Sequence, residues 1–134
     1  MKSKCIQGLL AFGSLVASAA ASAQVAVVMN PGAPAMSKEQ IANIYLGRSF
    51  DFKALDLPES SSVREQFYKK ATDRDLSQVK STWSRIVFSG KGQAPKELPD
   101  AAAVKKAVAA DPKAIGYIEK SAVDGSVKAV LMLD

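Results

Sequence analysis

The side chains best suited to chemistry in this chain are gathered in Ser60-Ser61-Ser62-Val63-Arg64. Three hydroxyls precede a run with helical apolar spacing, so the segment opens a helix. There the first backbone amides lack intrahelical acceptors and the macrodipole favours negative charge. The three hydroxyls, the Val63 and Arg64 amides and the Arg64 guanidinium, which can grip an oxyanion with two parallel bonds, form a candidate oxyanion site. The competing reading is that Ser62 and Glu65 merely cap the helix as an S-x-x-E box, with Arg64 a solvated charge. One helix end contributes about 0.3 to 1 kcal/mol, at best about 2, whereas micromolar affinity needs about 8 kcal/mol. Further donors are therefore required. Asn30, Arg48 and Lys91 are the secondary candidates, at element ends where α/β sheets place ligands.

Other chemistries find little support. The chain has no histidine, the commonest general base and metal ligand. Its only cysteine, Cys5, precedes an apolar run near the N-terminus, and no carboxylate cluster has metal-ligand spacing. No catalytic residue, metal or cofactor is expected. Gly90-Lys91-Gly92 resembles half of a phosphate-cradling loop, but that motif needs G-x-x-x-x-G-K-[ST] after a strand, and here the glycines follow a helical pattern; Lys91 reads first as a solvated loop charge. Trp83 and Phe88 lie on or beside an apolar helical stripe, which assigns both to the core.

The elements that must position these residues follow from hydrophobic period and capping signals. Val25 to Met29 is an unbroken apolar run, expected as a strand buried on both faces, as in a parallel sheet. Ser37 to Gln40 is a capping box for a short helix from about Lys38 to Leu46, ended by Gly47. A brief strand is expected near Lys53 to Leu57. The Ser62 box opens a second helix carrying Val63, Phe67 and Ala71. Asp75 to Gln78 caps a third, with Leu76, Val79, Trp83, Ile86 and Val87 at helical spacing and Gly90 beyond its end. Lys91 to Pro99 reads as a loop, and Asp100 caps an alanine-rich helix that stops at Asp111-Pro112. Strands are expected at Ala114 to Ile118 and Val127 to Leu133, with a turn between them. This order implies a single α/β domain with a small mixed sheet flanked by helices.

The N-terminus has a different design. Lys2 and Lys4 precede an uncharged apolar run from Leu9 to Ala20, closed by Ala21-Ser22-Ala23. That is the layout of a cleavable secretory signal peptide, cut after Ala23, and the run is short of the roughly 20 apolar residues a bilayer span needs. The expected organisation is residues 1–23 as leader and 24–134 as the working domain, without a membrane span after cleavage. A 23-residue leader leaves 111 of the 134 residues, without cysteine and with 16 basic residues against 13 acidic ones. The basic residues are dispersed rather than clustered, unlike a nucleic-acid footprint.

Five segments together resemble one lobe of the phosphate-binding protein of the Pst phosphate transporter, and in particular its short single-lobe relatives. Ile44-Tyr45-Leu46-Gly47-Arg48 is similar to that family's "IFLGK" helix end, and Ser60 to Phe67 to its "GSGTREAF" segment. The opening Val25 to Asn30, the stretch from Trp83 through Val87-Phe88-Ser89-Gly90-Lys91-Gly92, and Ala114-Ile115-Gly116-Tyr117-Ile118, similar to "GAIGY", follow the same order. The resemblance implies one lobe of a type II periplasmic-binding-protein-like fold, a periplasmic location, and a solute-binding role toward phosphate or another small oxyanion beside an ABC permease. Departures weaken the ligand part of that expectation. Serines replace the glycines, Val63 replaces the threonine hydroxyl, Asp56-Leu57 stands about where an arginine is expected, and the opposite lobe is missing. Two alternatives therefore stay open: a ligand-free interaction module beside a transporter or envelope sensor, and a homodimer that rebuilds a two-sided cleft.

Overall fold

The computed structural model describes residues 24–133; the expected leader and its cleavage point lie outside them. The elements are β1 (Val25–Met29), α1 (Lys38–Tyr45), β2 (Lys53–Asp56), α2 (Ser62–Thr72), α3 (Leu76–Phe88), β3 (Lys96–Glu97), α4 (Ala101–Ala110), β4 (Ala114–Glu119) and β5 (Lys128–Leu133), with a 3-10 turn at Lys120–Ala122. The strands form one mixed sheet in the order β3-β2-β4-β1-β5. β2 runs parallel to β3 and β4, and β1 runs antiparallel to β4 and β5.

β1 is buried at every residue, as its apolar run demands, but its pairing is antiparallel on both sides. The sequence reports two covered faces, and here helices provide them without parallel neighbours. Consecutive residues of β4 point to opposite faces. Gly116 lies under α4, where a Cβ would come within 2.5 Å of Val104 Cγ1, while Tyr117 stacks on Phe67 of α2 with ring centroids 4.0 Å apart. α4 thus covers one side of the sheet and α2 the other. α1 joins α2 through Tyr45, whose ring meets Phe67 edge-on, and α3 anchors to α1 by the Trp83 indole N–H, which donates to the Tyr45 carbonyl at 2.8 Å.

The helix boundaries follow local chemistry. Ser37 with Gln40 and Asp75 with Gln78 both form reciprocal capping boxes. Gly47 takes φ 77° at the end of α1, where its amide donates to the Ile44 carbonyl and that of Arg48 to the Asn43 carbonyl, the paired closure of a Schellman motif. Its missing Cβ also makes room for Ile86 of α3, which would otherwise lie 2.2 Å away. Asp100 caps α4, accepting from the Ala103 amide at 2.9 Å.

Three expectations need correction. The cap of α2 is Ser61, whose hydroxyl accepts from the Arg64 amide at 3.4 Å, so Ser62 is the first helical residue and the S-x-x-E box is not formed. The 91–99 stretch holds β3, a two-residue edge strand, rather than loop throughout. Phe88 is 93% exposed and Val87 49%. Both project from the last turn of α3, beyond the neighbours that bury Val79 and Trp83, so Phe88 is not a core residue.

Candidate functional site

Leu57 follows the last residue of β2 and Glu119 is the last residue of β4, so the carboxyl ends of these parallel strands open at one place. The α2 N-terminus arrives there with Ser60, Ser61 and Val63, and the α4 N-terminus with Asp100 and Ala101. Together they line a cleft of about 260 Å³. This is where an open α/β sheet presents a crevice, outside the carboxyl ends of its strands. The N-terminal ends of two helices thus border it, each carrying the partial positive charge of its macrodipole. Two carboxylates, Asp100 and Glu119, also border it, and the chain pattern had singled out neither for this role.

The predicted residues divide at this point. Ser60, Ser61 and Val63 line the cleft; Ser62 is exposed beside it and does not. Arg64 turns away. Its Nη1 donates to the Leu57 carbonyl at 2.8 Å and to Glu97 Oε2 at 3.2 Å, and its Nε lies 3.7 Å from Asp56 Oδ1. None of the secondary candidates lines the cleft. Asn30 donates to the Val108 and Ala109 carbonyls at the end of α4, Arg48 reaches Asn43 at 3.4 Å, and Lys91 is an exposed residue after α3.

Arg64 is held by a buried carboxylate whose partners are remote in sequence. Asp56, 3% exposed, is the single buried charged residue among the described ones. It accepts from the Tyr68 hydroxyl at 2.7 Å, from the Tyr117 hydroxyl and from the Leu57 amide at 3.1 Å. The Tyr117 oxygen accepts from that same amide at 3.1 Å. Burial pushes the Asp56 carboxyl above its ordinary value, against the downward pull of the Tyr117 and Tyr68 hydroxyls and the Arg64 guanidinium. Burial and the nearby Asp56 charge raise both tyrosines, so each hydroxyl stays a donor at neutral pH. The position expected to repel an incoming anion therefore supplies an internal one. It satisfies the arginine and the two hydroxyls from within the fold.

Comparison with solved structures places this architecture. Over 80% of its length the chain matches an ABC-type phosphate transport receptor from Vibrio cholerae, at 23% identity and TM-score 0.63, covering 45% of that protein. A phosphate ABC transporter substrate-binding protein from Clostridium perfringens, described as putative and solved with bound phosphate, matches over 80% of this chain and 44% of its own, at 19% identity and TM-score 0.64. PstS from Borrelia burgdorferi matches at 12% identity and TM-score 0.56, covering 84% of this chain and 47% of that one. The chain has the fold of part of these receptors and spans less than half of their length. Neither a protein-family model nor a curated protein sequence matches it. Among the described residues no helix is long and apolar enough to cross a membrane.

Proposed function

We propose that residues 24–134 work in the periplasm, after removal of the 1–23 leader, as a solute-binding domain of the phosphate-receptor type. Phosphate or another small oxyanion is held in the cleft between α2 and α4. The observation that carries this reading is the meeting of two helix N-termini at the carboxyl ends of β2 and β4, in a chain with the fold of phosphate receptors. Donors are the Ser60 and Ser61 hydroxyls and the first-turn amide of Val63.

The lining chemistry sets the affinity and the preferred ion. Two helix ends at no more than about 2 kcal/mol each give about 4 kcal/mol, which corresponds to millimolar binding. Asp100 and Glu119 oppose an anion that has no proton but accept a hydrogen bond from one whose oxygen still carries a hydrogen. Protonated phosphate can donate to them and sulfate cannot, so the cleft favours phosphate. Calorimetric titration of the protein lacking residues 1–23 with both ions tests this. Saturable heat with phosphate in the millimolar range and none with sulfate supports the reading; equal heats, or none with phosphate at about 10 mM, refute it.

One observation favours a second reading. Arg64, the strongest donor expected at the site, is engaged by Asp56, Glu97 and the Leu57 carbonyl, so the domain is internally neutralised where a ligand would otherwise compensate the charge. On that reading the domain is a protein-interaction module of the envelope, beside a permease or sensor. Co-purification from the native envelope of a fixed partner, with no phosphate heat, would favour it over the first.

A further inference from the structure

A second concavity, of about 470 Å³, lies between α3 and β3 and shares no lining residue with the serine cleft. Its α3 wall carries an apolar stripe of Val79, Trp83, Val87 and Phe88 flanked by Lys80 and Ser84, and Pro95, just before β3, also lines it. Burial of Val79 and Trp83 and exposure of Val87 and Phe88 make this wall a slope from core to solvent, which a partner's side chain can cover. A residue as large and exposed as Phe88 gains most from such cover.

Two further features specify the occupant. β3 is an edge strand. The Leu98 amide donates to the Asp56 carbonyl at 2.8 Å while Glu97 pairs in register with Asp56, so in this parallel ladder Glu97 turns its own amide and carbonyl to the open edge. Apart from Asp56 and Arg64, which face each other inside the fold, the charged lining residues are Glu59 and Glu97 against Lys80, with Lys80 Nζ 3.9 Å from Glu59 in an exposed pair, so the rim carries one carboxylate more than cations in a chain of net charge +5.

We propose that this groove receives an extended segment of a partner protein, which adds alongside β3, inserts an apolar side chain beside Trp83 and sets a lysine or arginine against Glu97 and Glu59. The mode is strand addition with a side-chain slot, where main-chain bonds give affinity and the slot gives specificity. The assignment rests on the interaction reading above and does not require the oxyanion cleft, so phosphate titration and peptide titration fail independently.

Trp83 is the only tryptophan of the chain and reports on the groove by its emission. It also borders a neighbouring cavity beside Phe50 and Phe52, so groove variants that avoid that cavity are needed. The probes are the pentapeptide Lys-Val-Leu-Val-Lys and its acidic counterpart Glu-Val-Leu-Val-Glu, each with blocked ends. The basic peptide is expected to shift Trp83 emission saturably, with affinity falling about tenfold or more in Phe88→Ser and severalfold in Glu59→Lys or in high salt. Both side chains are exposed, so folding is retained and checked by circular dichroism. The proposal is overturned by no shift up to about 1 mM peptide, by equal binding of the acidic peptide, or by indifference to both substitutions. It is equally overturned if emission changes on concentrating the protein alone and Phe88→Ser abolishes that change, because a second copy then fills the groove.

Discussion

Replacing Tyr117 by phenylalanine removes one oxygen from the buried network and leaves the stacked ring. The lost hydroxyl donates to Asp56 and accepts from the Leu57 amide; the amide keeps Asp56 Oδ1 at 3.1 Å, so the main loss is one bond to a buried charge. Such bonds contribute about 1.5 to 3 kcal/mol, which for a domain of about 110 residues lowers the melting temperature by roughly 4 °C for each kcal/mol. The pH dependence has a definite sign. The folded-state pKa of Asp56 is raised, chiefly by burial, so the folded protein binds its proton more readily than the unfolded chain. The ionisation cost is absent at low pH, appears as pH rises from the ordinary carboxylate value through the raised one, and is complete above it. The Tyr117 bond opposes that shift, so Tyr117→Phe raises the carboxyl further and its penalty grows across the same window. Urea denaturation at pH 4 and at pH 7.5 is the assay, repeated in an Asp56→Asn background, where the penalty shrinks. A loss below about 0.5 kcal/mol at pH 7.5, or a larger loss at pH 4, would refute the reasoning.

Other perturbations follow from single contacts. Gly116→Ala places a methyl against Val104 on the α4 side and costs about 1 to 3 kcal/mol; the urea midpoint should fall and recover in the Gly116→Ala, Val104→Ala double variant, and no recovery would contradict the close approach. The Asp75 carboxyl is held below its ordinary value, first by the Gln78 amide and then by the Ser77 hydroxyl. Its contribution is therefore present above that ordinary value and lost as pH falls, so Asp75→Asn should lose less stability than the parent between pH 5 and pH 2, measured by urea midpoints.

Local signals made most of the fold legible. The Ser37 and Asp75 boxes, Gly47, Gly90 and the apolar run of β1 each mark a boundary through chemistry confined to a few neighbouring residues, and each element except β3 stands close to its expected place. The site was less legible because its determinants are tertiary. Three consecutive serines offer nearly equal capping hydroxyls, and Ser61 takes the role where the chain turns after Pro58, its amide donating to the Pro58 carbonyl. Asp56 has the pattern of an ordinary strand-end carboxylate, because Tyr68 and Tyr117 lie 12 and 61 residues away in sequence. Asp100 showed its capping role but not that α4 aims it at the α2 N-terminus. Phe88 fits the stripe of α3 by spacing alone, yet among the described residues it stands 93% exposed at the end of the helix.

The central claim concerns the cleft where α2 and α4 begin, and calorimetry with phosphate tests it most directly. The account predicts a millimolar dissociation constant for phosphate, no heat with sulfate, and weaker binding in Ser61→Ala, where a cleft hydroxyl and about 1 kcal/mol of helix capping are lost together. Phosphate heat unchanged by Ser61→Ala, or absent altogether, would contradict it.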